Sequence, residues 1–392
     1  MQSKHNLISS NNKTGSCHSG TESSQMGVGS EYDRGIPYRD FPGIEKYDES
    51  MQIYFRDSIN LCRVFSLTMA CKMRLFDMMM ESTTSSSSFM SVKDISTCVR
   101  TKNSLSRMTD RPLTDLLSQL ETQGFVESDG PYESRRFRLT DLTKRYFLTS
   151  SESSVSTMYL NLNRFMKSFE EDFTTNFSTM SKTSNHSEYK FVDESETRMV
   201  LDYFNKVTEK SFERMSEVVD FSKFRTVCDV RGSCGLLCSR LKRKFPQVSF
   251  TSFDNPTLES YVHEKLKSLS MTSEVSVRSG SLLSKSDIPT SDCIIAPFVL
   301  MHFSDDNCST VLRNIHSSIN SGGQLIILEN MIDTERRDCS PVSISLMIGI
   351  DKCEGHSRTC NEYVTMLTSC GFTSVDRVSM GPGLGDLIVA MK

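Results

Sequence analysis

Residues 227–235 read VCDVRGSCG. Val227, Cys228 and Val230 around Asp229 form the apolar end of a buried strand. Gly232, Ser233 and Gly235 after them form a turn able to lie close against a ligand. Arg231, a bulky cation, holds the first position of that turn. Whether the stretch is a cofactor loop depends on what surrounds it.

From 225 to 392 strand-like and helix-like runs alternate. RTVCDV is followed by LLCSRLKRKFP, VSFTSFD by PTLESYVHEKLKSL, and VSVRSG and DCIIAPFVL by DNCSTVLRNIHSSI and QLIILEN. GDLIVAMK ends the chain as a strand, with GPGLG at 381–385 as the turn before it. This alternation predicts an α/β fold, a doubly wound, mostly parallel, Rossmann-like sheet with helices on both faces. Ligands of such sheets sit at the carboxyl ends of the strands, where the 231–235 turn falls.

The preceding chain divides into three blocks. Residues 1–44, rich in Ser, Asn, Gly and Lys, are read as a disordered tail. Residues 45–150 carry helical runs, with Leu61, Val64, Phe65 and Met69 at helical spacing. Two shorter helices and a small hairpin follow, a winged-helix outline. Residues 151–220 are read as linking helices, with Met199, Val200, Tyr203, Phe204 and Val207 on one face, and 221–392 as the sheet domain.

Charge and cysteine usage limit the partners. There are 45 basic and 49 acidic residues, so nothing draws the whole chain toward nucleic acid or an anionic membrane. The second short helix, 110–123, sets Asp110, Asp115 and Glu121 against Arg111, which disfavours DNA phosphates and favours an interaction or dimerisation module. The thirteen cysteines show no secreted-domain framework, and no run resembles a signal peptide or membrane span, so a cytoplasmic location is expected. CEGHSRTC at 353–360 offers Cys353, His356 and Cys360 without a fourth ligand, and no metal site is expected.

Nineteen residues past Gly235 lies Asp254, at the end of the next strand-like run. It either accepts hydrogen bonds from a ribose diol or caps the following helix. The Gly-x-Gly-x-x-Gly pattern that seats a dinucleotide pyrophosphate is absent from the 231–235 turn. S-adenosylmethionine, which has no phosphate, tolerates a looser loop and is the expected cofactor.

The residues from about 45 onward resemble plant-type and acetylserotonin-type O-methyltransferases. DFSKFRTVCDVRGSCG is similar to that family's DFSxFxTVVDVGGGTG, FDNP to FDLP, and EGHSRTCNEYVTMLTSCGF to GxERTxxEYxxLLxxAGF. MACKMRLFDMMM, LLSQLETQGFVES and FRLTDLTKRYFL resemble its N-terminal winged-helix dimerisation domain. The resemblance implies a homodimer that transfers a methyl group from S-adenosylmethionine to a small phenolic or indolic hydroxyl. A histidine would act as base, oriented by two acids. It also implies a cofactor site made of Gly232, Gly235, Asp254, Ser281 and Leu282.

Several family positions are changed. The family's VLHDWSDEQC is VLMHFSDDNC at 299–308, so Met301 falls on the histidine and His302 one residue later, about 100° around a helix. A thioether accepts no proton at neutral pH, which leaves His302 as the candidate base. Glu329 matches the first orienting acid. Ser357 replaces the second, with Glu354 three residues earlier as its substitute. Arg231 replaces the first loop glycine, Pro297 a basic residue, and GSLL at 280–283 the family's GDMF. Two readings follow: a divergent O-methyltransferase, or a catalytically inactive homologue acting as a dimeric scaffold.

Overall fold

The computed structural model describes residues 49–83, 88–103, 109–131, 134–162, 194–231, 234–335, 343–345, 348, 355–381 and 383–392. The expected disordered tail, residues 1–44, lies outside them, as do Gly232 and Glu354. The chain forms two compact units, described at 49–162 and 194–392. Among the described residues no helix is long and apolar enough to cross a membrane.

The first unit begins with helices α1 (Glu49–Lys72) and α2 (Leu75–Glu81). Then come β1 (Met90–Ser91), α3 (Val92–Lys102) and α4 (Asp110–Thr122), followed by β2 (Val126–Asp129), β3 (Arg136–Leu139) and α5 (Asp141–Tyr146). The strands pair antiparallel in the order β1-β3-β2. Local sequence explains the boundaries. Ser91 caps α3 by accepting the Asp94 N–H, and Thr140 caps α5 by accepting that of Thr143. In α4 the buried Leu113, Leu117 and Leu120 recur at helical spacing and meet Phe76, Ile95, Val99 and Phe137 in one core.

Helix α1 is only half used by that core. Leu67, Ala70 and Cys71 point inward, while Leu61, Phe65 and Met69 are about half exposed. Three of the four apolar residues that predict this helix thus face away from the unit's own interior.

The second unit begins with α6 (Glu194–Val218), expected as a linking helix. It packs instead onto the sheet, through Phe212, Met215 and Val218. Of its predicted apolar face only Val200 is fully buried; the inward stripe continues through Thr197, Thr208 and Ser211, small polar residues that hydropathy passes over. Next come β4 (Thr226–Val230), α7 (Leu236–Lys244), β5 (Ser249–Asp254), α8 (Glu259–Ser268), β6 (Val275–Ser279) and β7 (Ser291–Pro297). The chain ends with α9 (Asp305–Ser318), β8 (Ile319–Glu329), α10 (Cys360–Ser369), β9 (Thr373–Ser379) and β10 (Asp386–Met391).

The seven strands lie in the order β6-β5-β4-β7-β8-β10-β9. The first five run parallel, and β10 is antiparallel to both β8 and β9. Side chains alternate between two cores, as the two-residue period requires. Cys228, Val230, Ile294, Leu325 and Ile388 meet α9 and α10 on one face. Val227, Phe250, Ile295, Ile326 and Leu387 meet α6, α7 and α8 on the other. This is the expected doubly wound α/β sheet. Strand order reverses between β4 and β7, which opens a crevice at the carboxyl ends of β4, β5 and β7. Strand β9 gives no strand signal in the sequence: it is an edge with one buried residue, Val378, so TSVDRVS carries no apolar run.

Phe137 is fully buried on the middle strand of the small sheet. Phe137→Ala should destabilise the first unit by about 3–5 kcal/mol. Urea unfolding should show this as a lower midpoint at unchanged slope.

Candidate active site and cofactor cleft

The crevice holds roughly 730 Å³ of atom-free space, its solvent mouth included. Phe204 and Phe212 from α6, Arg231 after β4, Asp254 ending β5, Pro297 ending β7, and His302 line it. The ends of β4 and β5 and the turn after β7 therefore supply its ionisable groups, and α6 with the end of β7 supplies apolar wall.

At the loop after β4 the backbone is unusual. Arg231, Cys234 and Gly235 take φ values of 72°, 53° and 83°, in the left-handed region. Arg231 stays tied to the sheet by its N–H, which donates to the Phe253 carbonyl at 2.9 Å. At Gly235 a Cβ would come 3.0 Å from Leu266 Cδ2, so glycine both allows the turn and lets α8 approach. Cys234 is buried against the cleft, and that burial holds its thiol well above the usual range.

Asp254 is 4% exposed, and its Oδ1 accepts the Asn255 N–H at 2.8 Å. Its carbonyl accepts the Gly280 N–H. The capping alternative falls to its neighbour: Asn255 Oδ1 accepts from Thr257 N at 3.0 Å and caps the short turn Pro256–Leu258. Asp254 itself faces the cleft.

Ser281 and Leu282, expected at the cofactor, are not among the residues lining this cleft. Leu282 is fully buried in the core beside α9, with Phe253 and Leu312 in the same cluster. The Ser281 N–H donates to Asp287 Oδ2 at 3.0 Å, and its Oγ accepts from Leu283 N. Asp287 thus closes this turn on itself. Alignment by residue order gives the position of the turn but not the direction of its side chains.

Met301 and His302 sit on a single 3-10 turn, Leu300–His302, and point differently. Met301 is 5% exposed, whereas His302 is half-buried in the cleft wall with its ring edge-on to Phe204, centroids 6.5 Å apart. Glu329, expected as an orienting acid, accepts the N–H groups of Leu300 at 3.0 Å and Met301 at 3.3 Å through Oε1. It is 1% exposed and braces the turn's backbone. Burial pushes its carboxyl up to about 8, against the two backbone hydrogen bonds that lower it.

The other brace is Arg358, which sequence reasoning passed over. It is 1% exposed and donates to the carbonyls of Leu300 at 3.0 Å and Phe303 at 2.8 Å. Its Nε and Nη2 also reach Asp305 Oδ1, at 2.9 and 2.8 Å. Gly355 fills the remaining gap, because a Cβ there would lie 2.0 Å from the Met301 carbonyl oxygen. Ser357, at the second acid's position, is 1% exposed and its N–H donates to Ser345 Oγ. The substitute acid Glu354 lies outside the described residues.

Two outcomes follow. Gly355→Ala should shift the Leu300–His302 turn and lower the melting temperature, since the clash is with backbone. Glu329 binds a proton more tightly folded than unfolded, so its contribution to stability falls as pH rises from about 4.5, its ordinary value, through about 8. The slope in that window is up to about 1.4 kcal/mol per pH unit. Glu329→Gln keeps an acceptor for both N–H groups and should flatten this decline in melts between pH 5 and pH 9.

Comparison with known proteins bears on the family and the fold. The O-methyltransferase domain family matches residues 161–373. The tetracenomycin polyketide synthesis 8-O-methyl transferase of Streptomyces glaucescens is 28% identical over 181 residues, 45% of this chain and 52% of that protein. A protein named probable inactive O-methyltransferase 11, from Dictyostelium discoideum, is 27% identical over 168 residues, 42% and 47% of the two chains. The chain spans about half the length of the curated relatives it matches. Human N-acetylserotonin methyltransferase, solved in complex with SAM, superposes with a TM-score of 0.70 at 19% identity, over 88% of this chain and 98% of that one. With over half its residues inside the match and its sheet and strand-end cleft in place, the chain belongs to the O-methyltransferase family, whose members use S-adenosylmethionine.

Proposed function

We propose that this chain binds S-adenosylmethionine in the strand-end cleft and methylates a small phenolic or indolic hydroxyl, with His302 as the base. The observation that carries the reading is the shared cleft of Asp254 and His302. The residues present suit the nucleoside half of the cofactor. Asp254 offers an acceptor for the ribose diol, Phe204 and Phe212 offer apolar cover, and Gly235 turns the chain into α7. Bound there, the cofactor supplies the electrophilic methyl group.

The chain's own task is to hold the acceptor and take its proton. A phenol, with a pKa near 10, is weakly ionised at neutral pH, so a positioned base contributes ~10²–10⁴-fold. An imidazole can do this and the thioether of Met301 cannot. Glu329 and Arg358 are positioning residues: they fix the backbone on which His302 is carried.

A second reading, a non-catalytic homologue, is favoured by the buried Met301 at the base position and by Arg231 in the cleft. The half-exposed Leu61, Phe65 and Met69 of α1 support a homodimer through the first unit in either case, since a second copy would cover them. The acidic α4 disfavours nucleic acid as a partner, and the free cysteines among the described residues suit a reducing cytoplasm.

Asp254→Ala should weaken cofactor binding by about 1–3 kcal/mol in calorimetry. Transfer of a radiolabelled methyl group, scored across phenols and indoles, should fall ~10²-fold in His302→Ala. If transfer is absent from the unmodified protein and appears only when Arg231→Gly, Met301→His and His302→Asp are combined, the non-catalytic reading is the correct one. Light scattering at micromolar concentration should give twice the chain mass, and a clean monomer would end the dimer proposal.

A further inference from the structure

A second cavity, with roughly 560 Å³ of atom-free space including its solvent mouth, lies between α6 and α8. One stripe of each helix forms its walls: Arg198, Asp202 and Asn205 from α6, and Tyr261, Glu264 and Lys265 from α8. Residues three and four apart share a helix face, so each stripe is continuous along its helix. Helices that pack side by side on a sheet ordinarily meet through apolar residues. Here both stripes are polar, and they leave space between them.

One part of this space is closed by a bridge. Arg198 donates to both carboxylate oxygens of Glu264, at 3.1 Å each, and its guanidinium stands 5.1 Å from the centre of the Tyr261 ring. The other polar groups are not engaged in this way. Among the described residues, the Asp202 carboxylate and the half-buried Lys265 ammonium make no hydrogen bond or ion pair, with each other or with a third group. Lys265 acts on Glu264 and Cys234 through its field alone. Asn205 Oδ1 is buried and has no hydrogen-bond partner among the described residues. A buried amide oxygen without a donor is costly, and so is a half-buried cation held away from a counter-ion. We infer that this cavity is a binding site for a small zwitterion, an apolar α-amino acid, whose carboxylate meets Lys265 and whose ammonium meets Asp202 and Asn205 Oδ1.

The balance of charge disfavours simpler ligands. An anion would meet Lys265 but also face Asp202 and Glu264, and a cation would meet Asp202 but face Lys265 and Arg198. A neutral apolar molecule would cover the charges and leave Asn205 without a donor. A zwitterion meets one unused charge of each sign, and its ammonium has three donors, enough for Asp202 and Asn205 together. Leu201 and Cys234, also on the wall, offer apolar surface for the ligand's side chain, the cysteine as a thiol that burial keeps protonated. Those two residues line the strand-end cleft as well, but the inference does not depend on what that cleft binds.

Ligand-observed NMR titration of the full chain with L-leucine, leucine methyl ester and N-acetyl-leucine tests this. L-leucine should bind at millimolar concentration or below. The ester is a cation and the acetylated form an anion, and each should bind at least about tenfold more weakly, ~1.4 kcal/mol. Lys265→Met and Asp202→Asn remove one charge each at positions outside the strand-end cleft, and each should weaken leucine at least about fivefold. Asn205→Ala should weaken it too, at an unchanged melting temperature, because the fold makes no use of that buried acceptor. Absence of leucine binding at millimolar concentration overturns the inference, as does equal binding of either singly charged analogue. Leucine affinity unchanged in Lys265→Met and Asp202→Asn overturns it as well, since any binding would then lie elsewhere.

Discussion

The site depends on how the turn between β7 and α9 is held. Three residues, Leu300 to His302, must carry one side chain into a cleft and another into the core, and their backbone groups are buried. Buried N–H and C=O groups need partners. Glu329 satisfies two donors on the incoming side and Arg358 two acceptors on the outgoing side. A buried guanidinium is tolerable only when its charge and donors are met, which Asp305 and the two carbonyls do. Remove either brace and the other keeps only half of the turn.

These braces come from distant parts of the chain and converge through the sheet. Glu329 ends β8, whose pairing with β7 brings its carboxyl beneath the turn. Arg358 precedes α10, whose start is fixed by a capping box between Thr359 and Glu362. The Ile332 N–H donates to the Arg358 carbonyl at 3.1 Å, joining the two segments directly. The same parallel pairing, between β4 and β5, sets Arg231 beside Asp254. Packing of ordinary apolar residues thus fixes the relative positions of all four ionisable groups.

What the sequence disclosed follows from this division. The parallel strands were legible because strands buried on both faces are continuous apolar runs, as in Ile294–Ile295 and Leu325–Leu328. Asp254 was legible because a strand end with an acid has a fixed place in such sheets. Arg358 was not, because a lone arginine in a polar stretch reads as surface, and only three-dimensional convergence shows it to be 1% exposed. Glu329 was found by resemblance, but its hydrogen bonds to the Leu300 and Met301 N–H groups give it a structural role that residue order does not convey. Leu282 lies in the core beside α9 for a similar reason, since a side chain's direction depends on local turn closure by Asp287.

The two substitutions that most affect chemistry, Arg231 and Met301, leave the scaffold intact for different reasons. Met301 is a hydrophobe at a buried position, 5% exposed, and its thioether needs no hydrogen-bond partner there. Arg231 is held in a conformation that favours glycine, yet its N–H keeps its ladder bond to the Phe253 carbonyl, so the strand end stays paired. Fold and chemistry are therefore separable at this site. The sheet, the braces and the cleft require only that backbone groups be satisfied and apolar faces covered. The reaction requires in addition a proton acceptor and a tolerable charge at these two positions, where the fold is kept with other side chains.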